Sequence, residues 1–174
     1  MKFINPTTVV SQMGLKPGQT VADLGSGSGF FALAAAKLVG NSGLVHAVVV
    51  QEAKLTATQS SASQQGFKNI QVLKADLDKP LTEIAETSCD AVILASILHE
   101  VQSRAQLLKN AYYVLKTGGK VLAVEWKVEH TPFGPPLDKR IQEHDLEKEF
   151  AALGLRKEKD IPADAYHYAM VFVK

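Results

Sequence analysis

The chain has 174 residues, a net charge of +1 from 19 basic and 18 acidic side chains, and one cysteine; that length suits a single domain, 1–174, with a sizeable core. Balanced charge gives no electrostatic drive toward nucleic acid or an anionic membrane, and the lone Cys89 closes no intrachain disulfide, as expected of a cytoplasmic protein. No apolar stretch approaches the ~18 residues of a membrane span, and MKFINPTTVV lacks the apolar core of a signal peptide.

Short apolar runs alternate with helix-length segments along the whole chain. The stretch 1–14, with Phe3 and Pro6, predicts a helix over 6–13 and a flap over a bound ligand. A strand at 20–24 (TVADL) runs into a glycine loop, and an alanine-rich helix follows at 29–39. Next come a strand at 44–50, a helix at 52–65, a strand at 69–73, a short helix at 81–86 and a strand at 90–95. A helix at 101–115, a strand at 119–126, a helix at 138–152 and strands at 155–160 and 166–173 complete the series. Gly40, Gly66, the pair Gly118-Gly119 and Gly154 read as helix stops. Strands separated by helices imply a parallel α/β sheet with right-handed crossovers. Only IPADA, 161–165, separates the last two strands, which predicts an antiparallel hairpin there.

The chemistry concentrates at 21–30, VADLGSGSGF. A strand ends at Asp23, glycines follow at 25, 27 and 29, and a helix begins. Glycine permits positive φ and puts no Cβ between the backbone and a ligand. The loop leads to a helix N-terminus with unpaired N–H groups. Gly27-Ser28-Gly29-Phe30-Phe31-Ala32 also fits the dinucleotide pattern G-x-G-x-x-G/A. Asp23, two residues before Gly25, is instead suited to a cationic amine.

The run D-x-G-x-G-x-G from Asp23 to Gly29 resembles motif I of the class I S-adenosylmethionine-dependent methyltransferases. Downstream blocks extend the resemblance. ADLDKPL (75–81) is similar to the loop after the third strand, and CDAVILASILHEV (89–101) to the fourth strand and its exit. LLKNAYYVLKTGGKVLAVEW (107–126) is similar to the helix, glycine turn and fifth strand. FGPPLDKRI (133–141) resembles a loop and helix of small bacterial and archaeal members akin to the ubiquinone/menaquinone C-methyltransferases. The resemblance implies a Rossmann-like three-layer sandwich, with a seven-stranded, mostly parallel sheet of order 3-2-1-4-5-7-6 and an antiparallel last strand.

It also implies a site for S-adenosylmethionine at the carboxyl ends of the strands. Gly25, Ser26, Gly27 and Gly29 would pass under the methionine part, and Asp23 would hold its amine. Val50 and Leu77 would face the adenine ring, and Asp76, flanked by Ala75, would accept from the adenine amine. Gln51 would reach the ribose, and Ala95 and Ser96 would complete the rim. The largest departure is Val49, which stands where the family places the acid that binds both ribose hydroxyls. Tyr113 and Asn110 replace a usual Arg and Glu, and Thr117 replaces a proline.

At the strand-four exit, Ala95-Ser96-Ile97-Leu98-His99-Glu100 is not the Asn-Pro-Pro-Tyr that grips exocyclic amines. His99 titrates near neutrality and is the candidate general base, with Glu100 beside it. Glu125 and Trp126 end the fifth strand near the acceptor side, and the segment 130–137 reads as a substrate lid or a structural crossover. No zinc-type spacing occurs, so no metal is expected. Three readings stand at this point. The first is methyl transfer to a small molecule. The second is a degenerate domain of the same fold serving as a partner module, and the third a nucleotide-dependent oxidoreductase.

Overall fold

The computed structural model describes residues 4–174. Phe3 of the expected flap lies outside them. Seven strands form one sheet: β1 (Thr20–Leu24), β2 (Leu44–Val49), β3 (Ile70–Lys74), β4 (Cys89–Ala95), β5 (Leu115–Trp126), β6 (Arg156–Ile161) and β7 (His167–Val173). Their order is β3-β2-β1-β4-β5-β7-β6. The first five pair in parallel, and β7 runs antiparallel to both β5 and β6. This is the expected arrangement, hairpin included.

Among the described residues, five α-helices cover the sheet: α1 (Pro6–Ser11), α2 (Phe30–Val39), α3 (Glu52–Gln64), α4 (Arg104–Val114) and α5 (Glu143–Ala152). Side chains alternate along each strand, so β4 sends Val92 and Leu94 into one core and Ala91 and Ile93 into the other. The first core gathers Leu107 and Leu108 of α4 with Leu146 and Phe150 of α5; Phe150 stacks on Phe172, centroids 4.1 Å apart. The second holds Val9 and Val10 of α1 and the alanines of α2, whose small side chains bring that helix close to β1 and β2.

Three sequence expectations change. Residues 81–86 form no helix. Asn110, buried in α4, pins the backbone that enters this stretch. Its Oδ1 accepts from the Leu81 N–H at 3.1 Å, and its Nδ2 donates to the carbonyls of Leu77 and Lys79 at 3.1 and 2.9 Å. Leu81 and Ile84 then anchor the loop in the core. Secondly, Gly118-Gly119 does not end a helix but lies within β5. The pairing slips there, with Leu115 opposite Cys89 but Lys120 opposite Ala91. Gly118, at φ 77°, donates to the Lys174 carbonyl at 2.9 Å, tying this bulge to the end of β7. Thirdly, the helix expected at 138–152 is split into a 3-10 turn at Leu137–Lys139 and α5.

The sheet order reverses at β1, which has β2 on one side and β4 on the other. Ligands of open parallel sheets bind outside the strand ends at such a point.

Candidate functional site

The glycine loop after β1 turns back on itself through three positive-φ glycines, Gly25 (85°), Gly27 (56°) and Gly29 (83°). The N–H groups of Gly25 and Ser26 both donate to the Val48 carbonyl, at 3.0 and 2.8 Å, which fixes the loop to the end of β2. The three glycines have different duties. A Cβ on Gly25 would collide with the Ile97 side chain, and one on Gly29 would stand 2.8 Å from Thr58 Cγ2. Gly27 alone opens outward, with nothing nearer to an added Cβ than the Gly25 carbonyl at 3.9 Å. A cleft of about 100 Å³ lies there. Gly25 and Gly27 form its floor, Val49, Val50, Gln51 and Lys54 its β2 wall, and Ile97 and Glu100 its β4 wall.

Beneath the loop, the side chain of Asp23 is 1% exposed. Burial pushes its carboxyl up to about 6, a rise the nearby Ala32 N–H tempers. Asp23 Oδ2 and Ser26 Oγ are buried without a hydrogen-bond partner. A buried carboxylate with an open lone pair, below a loop that one glycine leaves uncovered, suits a cationic amine. These residues therefore fit the amino-acid portion of S-adenosylmethionine.

The β2 wall is unusual. Val49 is buried, Val50 is 49% exposed, and no carboxylate is free there. Glu52 is held by Lys74 at 2.8 Å, while Lys54 Nζ reaches across to the Ser28 hydroxyl of the glycine loop at 3.3 Å. After β3, Ala75 is buried, and its N–H donates to the Val49 carbonyl at 3.0 Å. Asp76 is exposed and engaged locally: Oδ1 accepts from the Asp78 N–H at 3.1 Å and Oδ2 pairs with Lys79 at 2.9 Å, which holds its carboxyl below the usual range. Leu77 does not present a face to the cleft as expected from the sequence; it is fully buried in the core with Leu81 and Ile84.

The β4 exit carries the second half of the site. Ala95 ends the strand, and Ser96 takes a left-handed conformation (φ 53°) with its N–H on the Val124 carbonyl at 2.8 Å. That turn aims Leu98 and His99 at Glu125, at the end of β5. Glu125 is 0% exposed. Its Oε1 accepts from the Leu98 N–H at 2.8 Å, and its Oε2 stands 2.7 Å from His99 Nδ1. His99 Nε2 lies 4.0 Å from Glu100 Oε1, on the side of the glycine-loop cleft. Burial alone pulls the His99 pKa down. The hydrogen bond and charge of Glu125, with Glu100 adding and Arg140 opposing, outweigh it and set the pKa above 6.5.

Sequence reasoning placed Glu125 near the acceptor side but did not pair it with His99. The two are 26 positions apart, one in the turn after β4 and the other in β5, and no local spacing joins them. Nearby, Trp126 meets Phe133 at a centroid distance of 6.2 Å and His167 at 4.1 Å, with Arg140 5.3 Å above the indole. Arg140 donates to the carbonyls of Lys127, Glu129, Phe133 and Pro135 and to the Thr131 hydroxyl, at 2.6 to 3.1 Å. The segment 130–137 is thus wrapped around one guanidinium. His167 is occupied by Asp164 at 2.9 Å. Among the described residues, no group of three or more His, Cys, Asp or Glu is placed to hold a metal ion.

Comparison with known proteins decides the family. A methyltransferase domain family matches residues 15–166. The chain belongs to the class I S-adenosylmethionine-dependent methyltransferases. Within that family it is similar to the ubiquinone/menaquinone biosynthesis C-methyltransferase of Laribacter hongkongensis, with 31% identity over 129 residues, 74% of this chain and 52% of the relative. The chain spans about half the length of the curated relatives it matches. A methyltransferase structure from Aquifex aeolicus superposes with a TM-score of 0.89 at 27% identity, covering 98% of this chain and 89% of that one. The [4+2]-cyclase SpnF shares the fold at a TM-score of 0.82, with 14% identity over 97% of this chain and 80% of that one. Fold alone therefore does not decide the reaction, and the methyltransferase site must carry it.

Proposed function

We propose that this methyltransferase moves a methyl group from S-adenosylmethionine to a small-molecule acceptor whose proton is taken by His99. The observation that carries the reading is the pair of half-buried His99 and buried Glu125, 2.7 Å apart, with His99 Nε2 4.0 Å from Glu100 Oε1, a residue that lines the glycine-loop cleft. A carboxylate only accepts, so the hydrogen between the two sits on Nδ1. In the neutral ring Nε2 then keeps its lone pair, the tautomer a general base requires. Bound in the cleft, S-adenosylmethionine would supply a methyl group on a sulfonium, a good leaving group.

Asp23 and Ser26 orient the amino-acid end from below, and Gly27 leaves the approach to the loop open. Val50 offers the exposed apolar face for the adenine. His99 Nε2 accepts the acceptor's proton as the new bond to carbon forms, and Glu125 stabilises the resulting imidazolium. Holding the reactants in line supplies much of the acceleration in such a transfer. The acceptor is a small molecule rather than nucleic acid or a membrane component, as the balanced charge favours.

A second reading keeps the fold but weakens the cofactor. Val49 offers the ribose no polar atom, and a cleft of about 100 Å³ is below the ~300 Å³ of ordinary ligand sites. The oxidoreductase reading loses its support, because the sheet ends in the antiparallel β6–β7 hairpin. Calorimetry with S-adenosylhomocysteine and NADH tests the choice. S-adenosylhomocysteine should bind the wild type and raise its melting temperature. Gly27→Val should lose the binding while staying folded. No binding at millimolar S-adenosylhomocysteine in a folded protein refutes methyl transfer and favours the partner-module reading.

A further inference from the structure

The cleft is polarised in a way the proposed cofactor does not explain. Because β1 lies between β2 and β4, its two walls face each other across the glycine loop. The β4 wall carries the Glu100 carboxylate, with Asp23 buried beneath the floor. The β2 wall carries an ammonium, Lys54, and a neutral amide, Gln51. The remaining charges on that side cancel, since Glu52 is paired with Lys74 at 2.8 Å. Lys54 has no carboxylate partner among the described ion pairs; its Nζ contact is the Ser28 hydroxyl at 3.3 Å, at the mouth of the cleft. The apolar side chain of Val49 lies at the wall's base.

A carboxylate at the end of β2 would accept from two ribose hydroxyls and repel a phosphate. An ammonium does the opposite. In nucleotide sites of related topology, replacing the acid by a cation is what admits a ribose phosphate. We propose that Lys54, supported by Gln51 and Ser28, makes the β2 wall a site for an adenosine ligand carrying a phosphate on its ribose. Such a ligand competes with S-adenosylmethionine for the cleft. The proposal rests on the placement of the ribose at the β2 end in the function proposed above. Lys54 is exposed, so its charge is partly screened and its effect is on the order of tenfold rather than thousandfold.

The test is calorimetry of the full chain with adenosine, adenosine 2′-monophosphate and S-adenosylhomocysteine, in wild type, Lys54→Met and Lys54→Glu. Circular dichroism melts check that the variants remain folded. At low salt the wild type should bind the 2′-phosphate about tenfold more tightly than adenosine, and the advantage should shrink as salt is raised. Lys54→Met should erase it, and Lys54→Glu should reverse it. Equal or weaker binding of the phosphate by the wild type overturns the proposal, as does an advantage that survives in Lys54→Met. Binding of S-adenosylhomocysteine with no phosphate preference overturns this proposal and leaves methyl transfer standing. A Lys54-dependent phosphate preference in a protein that does not bind S-adenosylhomocysteine supports it and overturns methyl transfer. Binding of none of the three overturns both.

Discussion

Asp23→Asn should make the protein more stable at neutral pH and a worse binder. Burial raises this carboxyl from 3.8 to about 6 in the folded chain. Above that window both states carry the charge, but the folded state holds it out of water with Oδ2 lacking a hydrogen-bond partner. At about 1.36 kcal/mol per pKa unit, the rise corresponds to a penalty of about 3 kcal/mol. The sign follows from proton counting. Below 3.8 both states are protonated and the penalty is absent. Between 3.8 and about 6 the folded state binds more protons, so stability falls as pH rises. Above about 6 the loss is complete.

Asparagine keeps the shape and removes the charge. Leaving its amide partly unsatisfied costs about 1 kcal/mol at every pH, so the net gain should be about 2 kcal/mol near pH 7.5, pass through zero at about pH 4.5, and become a loss of about 1 kcal/mol in more acid solution. Urea unfolding across that range measures it, and a value of m unchanged by the substitution keeps the comparison valid. Binding should move the other way. The ammonium of S-adenosylhomocysteine replaces the missing partner, so wild-type affinity should climb as pH rises through about 6, whereas Asp23→Asn should bind at least tenfold more weakly and without that climb. A variant less stable than wild type at pH 7.5 would show that Asp23 is paired in solution, and the argument would fail.

Glu125→Gln should lower the His99 pKa, since it removes the hydrogen bond and the charge that hold it up; an NMR titration of the ring reads it directly. The raised wild-type value makes His99 a source of stability that is present below about 6.5 and lost as pH rises through the folded pKa, and this slope should flatten in the variant. An unchanged His99 titration would mean that the pair is not formed. Gly25→Ala should destabilise the fold by about 2–4 kcal/mol, through its positive φ and the collision with Ile97. Adding Ile97→Ala should recover the steric part, and a double variant no better than the single one would place Ile97 elsewhere.

Local order came from local chemistry. Asp23 and the alternating glycines announced a strand, a loop and a helix because positive φ and the absence of a Cβ are properties of single residues. The helix stops at Gly40 and Gly154 and the short IPADA connection likewise fixed a parallel sheet ending in a hairpin. The breaks in that reading lie where a distant side chain supplied what the local sequence would otherwise have needed. Asn110 pins the backbone of Leu77, Lys79 and Leu81 from another element, and the expected helix that follows is a loop anchored by Leu81 and Ile84 in the core. The end of β7 takes up Gly118, so an expected helix stop becomes a bulge. The site divides in the same way. Asp23, Gly27 and His99 could be named from their neighbours in the chain. Glu125 as the partner of His99, Ile97 as the reason for Gly25, and Lys54 as the charge on the β2 wall required the sheet. Strand order sets which residues meet across the top of β1, and no periodicity in a single segment records that order.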